Sequence, residues 1–160
     1  ILLLSPTNFT EQRKSFEDLL KNIKPGQIGL IVVDGMASLY RLELGEMIKT
    51  GDDEKIREIN RKVAEQMRAL SEISRKQNNP EIVTNQVYSD FLTEEELKAG
   101  KEKKVNLVGG DLLKYWSKCI IELKNDNKKR KAVLLKHRSL PEKEMSFEIT
   151  NEGIFKKRWI

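Results

Sequence analysis

The residues best equipped for chemistry in this chain stand where apolar runs end. Leu30-Ile31-Val32-Val33 is closed by Asp34-Gly35. A carboxylate at the end of a buried strand has the form of a Walker B motif, whose acid sits near the Mg²⁺ of a bound nucleotide, often through water. An ordinary strand ending in an Asp-Gly turn has the same pattern, and the pattern alone does not separate the two. Thr84-Asn85-Gln86 closes the next strand-like run. A glutamine there has the donor and acceptor to sense a γ-phosphate, and small polar residues satisfying a strand end are the alternative. Two such strand ends, each followed by a long polar stretch, argue together for a site at the carboxyl edge of an open α/β sheet.

The elements that must position these groups follow from periodicity. Ile1–Leu4 reads as a buried strand, ended by Ser5-Pro6-Thr7. Asn8 with Glu11 three residues on forms a capping box, and Phe9, Phe16, Leu19, Leu20 and Ile23 supply a helical stripe that Pro25-Gly26 stops. Ile28–Val33 is apolar enough to be a strand covered on both faces. Tyr40–Asp53 is polar and holds two glycines with no sustained period, which predicts a loop. From about Asp53, Ile56, Ile59, Val63, Met67, Leu70 and Ile73 mark one face of a long helix ended by Asn78-Asn79-Pro80. Glu81–Val87 reads as a short strand, and Tyr88–Asn106, acidic and then basic, as a second long loop. Asp111–Ser117 fits one or two helical turns. Lys118–Leu123 and Arg130–Lys136 read as a hairpin around Asn125-Asp126-Asn127, with a further strand at Met145–Thr150 and a turn at Asn151-Glu152-Gly153. The order β-α-β-α-β followed by antiparallel strands predicts an α/β sheet with an antiparallel extension.

Bulk properties narrow the function classes. The 160 residues suffice for one domain with a sizeable core, expected to cover 1–160. No apolar run approaches the length of a membrane span, and Ile1–Leu4 lacks the basic region and length of a signal peptide. The one cysteine, Cys119, excludes an internal disulfide and fits a reducing, cytoplasmic setting. With His137 as the only histidine, a zinc site of the usual ligand set is out of reach. Cys119 itself, in an apolar run, is expected to be a buried, inert thiol. Thirty basic residues against 25 acidic ones give a net charge of +5, which points to a polyanion only where the positive charge clusters. Lys98, Lys101, Lys103 and Lys104 form one such cluster; a solvated charge run is the other reading. Tyr115, Trp116 and Trp159 have faces on which bases can stack, although aromatics beside regular elements more often serve a core or an interface.

Five stretches occur in the order of a known family's landmarks. They are Leu30–Tyr40 (LIVVDGMASLY), Thr84–Tyr88 (TNQVY), Gly109–Ser117 (GGDLLKYWS), His137–Glu142 (HRSLPE) and Phe147–Gly153 (FEITNEG). Together they resemble the archaeal RadB proteins of the RecA/RadA recombinase family, with RadA more distant. The resemblance spans nearly the whole chain and implies a RecA-like ATPase core, ATP with Mg²⁺, and action on DNA in recombination and repair. It makes Asp34 the Walker B carboxylate, an indirect Mg²⁺ ligand, and Gln86 the residue that links nucleotide to DNA. Tyr40 to about Asp53 becomes a first DNA-binding loop, with Arg41 and Lys49 as phosphate contacts. Tyr88–Gly110 becomes a second, with Lys98, Lys101, Lys103 and Lys104. Gly109-Gly110, opening a helical turn, offers unblocked backbone N–H groups to a phosphate, a plain turn being the alternative. Pro141 matches a residue that caps the nucleotide of a neighbouring subunit. RadA has an acidic Asp-Ser-Pro run just before it; here Lys136-His137-Arg138-Ser139 stands instead, so Lys136 and Arg138 are candidates to supply positive charge in trans.

The phosphate-binding pattern Gly-x-x-x-x-Gly-Lys-Ser/Thr does not occur in the 160 residues. In the resembling family it lies upstream of the run matching Ile1–Leu4. The 160 residues alone are therefore expected neither to bind ATP tightly nor to hydrolyse it, and a preceding segment is expected in the intact protein. Three readings stay open: a DNA-dependent ATPase, a non-catalytic DNA-binding recombination mediator, and a KaiC-like signalling ATPase without a DNA partner. Expected partners are single- or double-stranded DNA, other recombination proteins or a junction resolvase, and further copies of the chain; no membrane is implied.

Overall fold

Asn8 starts the first helix as its spacing to Glu11 predicts: the Asn8 Oδ1 accepts from the Glu11 N–H at 2.9 Å. The return bond of the box goes one residue further back, Glu11 accepting from the Thr7 N–H and hydroxyl, both at 2.8 Å. These bonds hold the Glu11 carboxyl below its ordinary range. The resulting helix α1 covers Phe9–Asn22 and buries Phe9, Gln12 and Phe16. The computed structural model describes residues 1–24, 26–89, 93, 99–100, 105–126 and 129–156.

The chain forms two compact units, residues 1–113 and 114–160. In the first, strand β1 (Ile31–Val33) pairs in parallel with β2 (Glu81–Val83), Ile31 opposite Glu81 and Val33 opposite Val83. Between them run helices α2 (Ser38–Thr50) and α3 (Asp53–Gln77). Asp52 caps α3 by accepting from the Lys55 N–H at 3.1 Å, and Asn78 ends it in the left-handed conformation. The predicted stripe holds but for Ile56, which is half-buried: Ile59, Val63, Met67, Leu70 and Ile73 of α3 are buried together with Phe9, Phe16, Met36 and Tyr40. A fully buried side chain of this kind contributes about 1.5–3 kcal/mol. After β2, strand β3 (Val87–Ser89) pairs antiparallel with β4 (Val105–Leu107), and the short helix α4 (Gly110–Trp116) follows. The second unit is a four-stranded antiparallel meander, β5 (Ile120–Asp126), β6 (Lys129–Lys136), β7 (Lys143–Thr150) and β8 (Gly153–Lys156), in the order β5-β6-β7-β8. The architecture is thus α/β, with a parallel pair first and an antiparallel sheet at the C-terminal end.

Four expectations are corrected. Tyr40–Asp53 is not a loop but mostly α2, which carries Arg41 and Lys49. Its Leu, Arg, Glu, Met and Lys are good helix formers, and they outweigh the cost of about 1 kcal/mol for Gly45. Only Tyr40 of this helix is buried, so the weak apolar period that suggested a loop reflects a helix exposed on most sides. Ile1–Leu4 is not a strand: no described strand pairs with it, and its four side chains are exposed. The Ile28–Val33 run yields only three strand residues, and Leu30 and Val32 are exposed, so described residues cover one face of it. Finally, Cys119 is exposed; it stands one residue before β5, whose own Ile121 and Leu123 are exposed as well. Among the described residues no helix is long and apolar enough to cross a membrane.

Candidate functional site at the carboxyl ends of β1 and β2

Parallel pairing brings the two predicted strand ends side by side. The Thr84 N–H donates to the Val33 carbonyl at 2.9 Å, and the Met36 N–H donates to the Thr84 carbonyl at 3.1 Å. The ladder therefore continues past β1 into the Asp34-Gly35 turn. There the Thr84 hydroxyl donates to Asp34 Oδ1 at 2.6 Å and accepts from the Gly35 N–H at 2.8 Å. Gly35 has a φ of +75°, and a Cβ on it would meet the Ser38 hydroxyl at 2.7 Å, so the turn needs glycine. Below the turn, Gln12 of α1 donates to the Met36 carbonyl at 3.3 Å and to Gln66 Oε1 of α3 at 2.8 Å. A buried amide pair thus fixes the loop that presents Asp34.

The carboxylate is exposed, with one oxygen held by Thr84 and no described residue on the other. That arrangement suits a group whose free oxygen meets a metal-bound water. Thr84 is the residue that sequence reasoning missed as a partner of Asp34. The signal was present, since a hydroxyl one position past a strand lies next to the neighbouring strand's end once the two are known to be parallel.

The residues after Thr84 join this end to a second feature. Asn85 Nδ2 donates to the Val108 carbonyl at 2.6 Å, and the Val108 N–H donates to the Gln86 carbonyl at 3.1 Å. Together they extend the β3–β4 pairing, in which Val87 lies opposite Leu107 and Ser89 opposite Val105. The Gln86 side chain is exposed and has no partner among the described residues. Gly109 and Gly110 follow with φ of +79° and +52°. A Cβ on Gly109 would come within 3.0 Å of Leu113, so this turn too needs glycine.

Asp34, Thr84, Asn85, Gln86, Val108, Gly109 and Gly110 therefore form one continuous hydrogen-bonded or sequential set. Arg41 and Lys49 lie elsewhere, on α2, the former near its start and the latter in its last turn. Lys98, Lys101, Lys103 and Lys104 lie outside the described residues, as does Trp159. Lys136, His137, Arg138 and Pro141 belong to the second unit. There Lys136 donates to the Lys114 carbonyl at 2.7 Å, and His137 Nδ1 accepts from the Ser139 and Leu140 N–H groups at 3.2 and 3.1 Å. The histidine thus shapes the turn that exposes Arg138 and Pro141. Tyr115 and Trp116 pack edge to face at 5.6 Å.

The family model described as Rad51 matches residues 5–157. The chain is 34% identical over 160 residues to the DNA repair and recombination protein RadB of Methanosphaera stadtmanae, covering 96% of this chain and 61% of that protein. The RadB proteins of Methanococcus maripaludis and Methanobrevibacter smithii are 34% and 33% identical over 96% of this chain, which covers 63% and 62% of them. The chain thus spans a little over three-fifths of the curated relatives it matches.

Proposed function

The chain belongs to the Rad51 family, and on that premise we propose that it is the DNA-engaging part of a RadB-type repair and recombination protein. The observation that carries this reading is the hydrogen-bonded path from Asp34 through Thr84, Asn85 and Gln86 to Val108. It joins a carboxylate suited to nucleotide chemistry to both stems of the segment between β3 and β4. In this reading the segment's Lys98, Lys101, Lys103 and Lys104 meet DNA phosphates, with Gly109 and Gly110 beside them. Phosphate contacts of this kind supply affinity without reading sequence. Arg41 and Lys49 are weaker members of the set, since they stand on α2, outside the hydrogen-bonded path.

The Rad51 family is ATP-binding and generally Mg²⁺-dependent. The residues present fit such a group in part. Asp34 has a free carboxylate oxygen for a metal-bound water, and Gln86 has an uncommitted amide. When bound, Mg²⁺ would neutralise charge on the nucleotide's phosphates. Asp34 would hold it through water, Thr84 would fix the carboxylate, and Gln86 would report on the phosphate end. Lys136, Arg138 and Pro141 would approach a neighbouring copy's nucleotide. The nest of N–H groups and the lysine that grip the phosphates have no counterpart in the 160 residues. Holding DNA is therefore the activity assigned to these residues, and weak DNA-linked ATP turnover is assigned to the complete protein.

Fluorescence anisotropy with labelled single- and double-stranded oligonucleotides over a salt series tests the reading. Log affinity should fall linearly with log salt at roughly 0.7–0.9 per neutralised phosphate, and Lys103→Ala with Lys104→Ala should lower that slope by about 1–2. An unchanged slope removes the lysine segment from the site. The absence of salt-dependent binding by the unaltered chain sinks the DNA reading as a whole.

A further inference from the structure

Thr84, Asn85 and Gln86 are consecutive, yet their side chains are committed differently. Thr84 is spent on Asp34 and Gly35, and Gln86 is uncommitted. Asn85 turns to the other strand of the hairpin and donates to Val108 at 2.6 Å. Val108 is buried, and its N–H is already paired with the Gln86 carbonyl. The Asn85 amide therefore takes the place of the next backbone rung, at the point where the chain leaves β4 and enters the Gly109-Gly110 turn. Both residues of the turn are glycines with positive φ, so the turn has much conformational freedom to lose. A side-chain bond on the residue just before it is where restraint acts most directly.

We propose that Asn85 is a positioning residue that fixes the Val108–Gly110 turn to the Asp34–Thr84 strand end. Through it the exit stem of the hairpin is held in register with the entry stem, and the DNA-facing backbone is ordered before DNA arrives. The inference rests on the DNA-holding reading above. It assigns Asn85 no contact with DNA or nucleotide.

Asn85→Asp keeps the size of the side chain and removes the donor, while Asn85→Ala removes the group altogether. Two readouts are taken on the 160-residue chain: amide hydrogen exchange at Val108, whose N–H is held by the Gln86 carbonyl, and DNA anisotropy over the same salt series. In both variants exchange at the Val108 amide should accelerate at least about tenfold, the equivalent of one lost hydrogen bond. DNA affinity should fall about tenfold. Exchange that accelerates while affinity stays at the unaltered level would mean that Asn85 is structural only. Exchange that does not change overturns the restraint itself. Unaltered chain that binds no DNA overturns both this inference and the functional reading; unaltered chain that binds, with variants that bind equally, overturns the inference alone.

Discussion

The two units are stabilised by different means. Among the described residues, 1–113 hold all the buried apolar side chains, from Phe9 on α1 through Leu70 and Ile73 on α3 to Val108 and Leu113. Residues 114–160 hold none among those described, and they are organised by strand pairing instead. β5 to β8 run antiparallel with long registers, Ile121 opposite Leu134, Ala132 opposite Met145 and Ile149 opposite Ile154. These pairs line up on one face with Leu123 and Phe147, and Leu123 and Ile154 remain 72% and 70% exposed. The first unit therefore depends on side-chain volume, and the second on backbone pairing and cross-strand neighbours. The path proposed above, from Asp34 to Val108, lies wholly in the first.

That contrast can be broken by mutation. The largest effect is expected for Leu70→Ala on α3, where a residue 1% exposed leaves a cavity. It should cost about 2–5 kcal/mol by urea unfolding, whereas Leu123→Ala on β5 should cost under about 1 kcal/mol. Equal losses at the two sites would show that the β5 face is packed in solution. A smaller effect belongs to Glu81, which begins β2 and has a buried Oε1 without a hydrogen-bond partner among the described residues; burial pushes its carboxyl up to about 7. A folded-state value above the unfolded one means that the folded form binds the extra proton. Stability is then full below the ordinary carboxylate range and declines as pH rises through about 7. Glu81→Gln should remove that decline and leave the chain more stable at pH 8 by about 1 kcal/mol, allowing for the exposed half of the side chain. Parallel pH profiles of midpoint for the two proteins would sink this. Smallest is the cross-strand pair Lys131–Glu144 at 3.1 Å, exposed on the second unit's sheet. A double-mutant cycle with alanine should return under about 0.5 kcal/mol, and a larger coupling would show that ion pairs help hold that sheet.

Much of this was legible in the residues. Asn8 announced one helix start, the stripe from Ile56 to Ile73 announced the inner face of α3, and the polar run from Asn125 announced the β5–β6 hairpin, although Asn125 and Asp126 themselves belong to β5. The family was legible too, because five short stretches keep its order, and the Rad51 match over 5–157 agrees. The α2 helix was not legible: its apolar residues follow no buried stripe, so only propensity marked it. Cys119 was misjudged because an apolar run does not say which of its residues are buried.

Local chemistry, then, was determined by the sequence alone: caps, glycine turns, the period of α3 and the presence of an acid at one strand end and an amide at another. Only the tertiary structure decided which of these meet. The Thr84 hydroxyl reaches Asp34 because β1 and β2 pair in parallel across 50 residues, and Asn85 reaches Val108 because β3 closes on β4. Pairing register is a long-range quantity, set by contacts between segments far apart in the chain. No local pattern encodes the distance between two carboxyl ends.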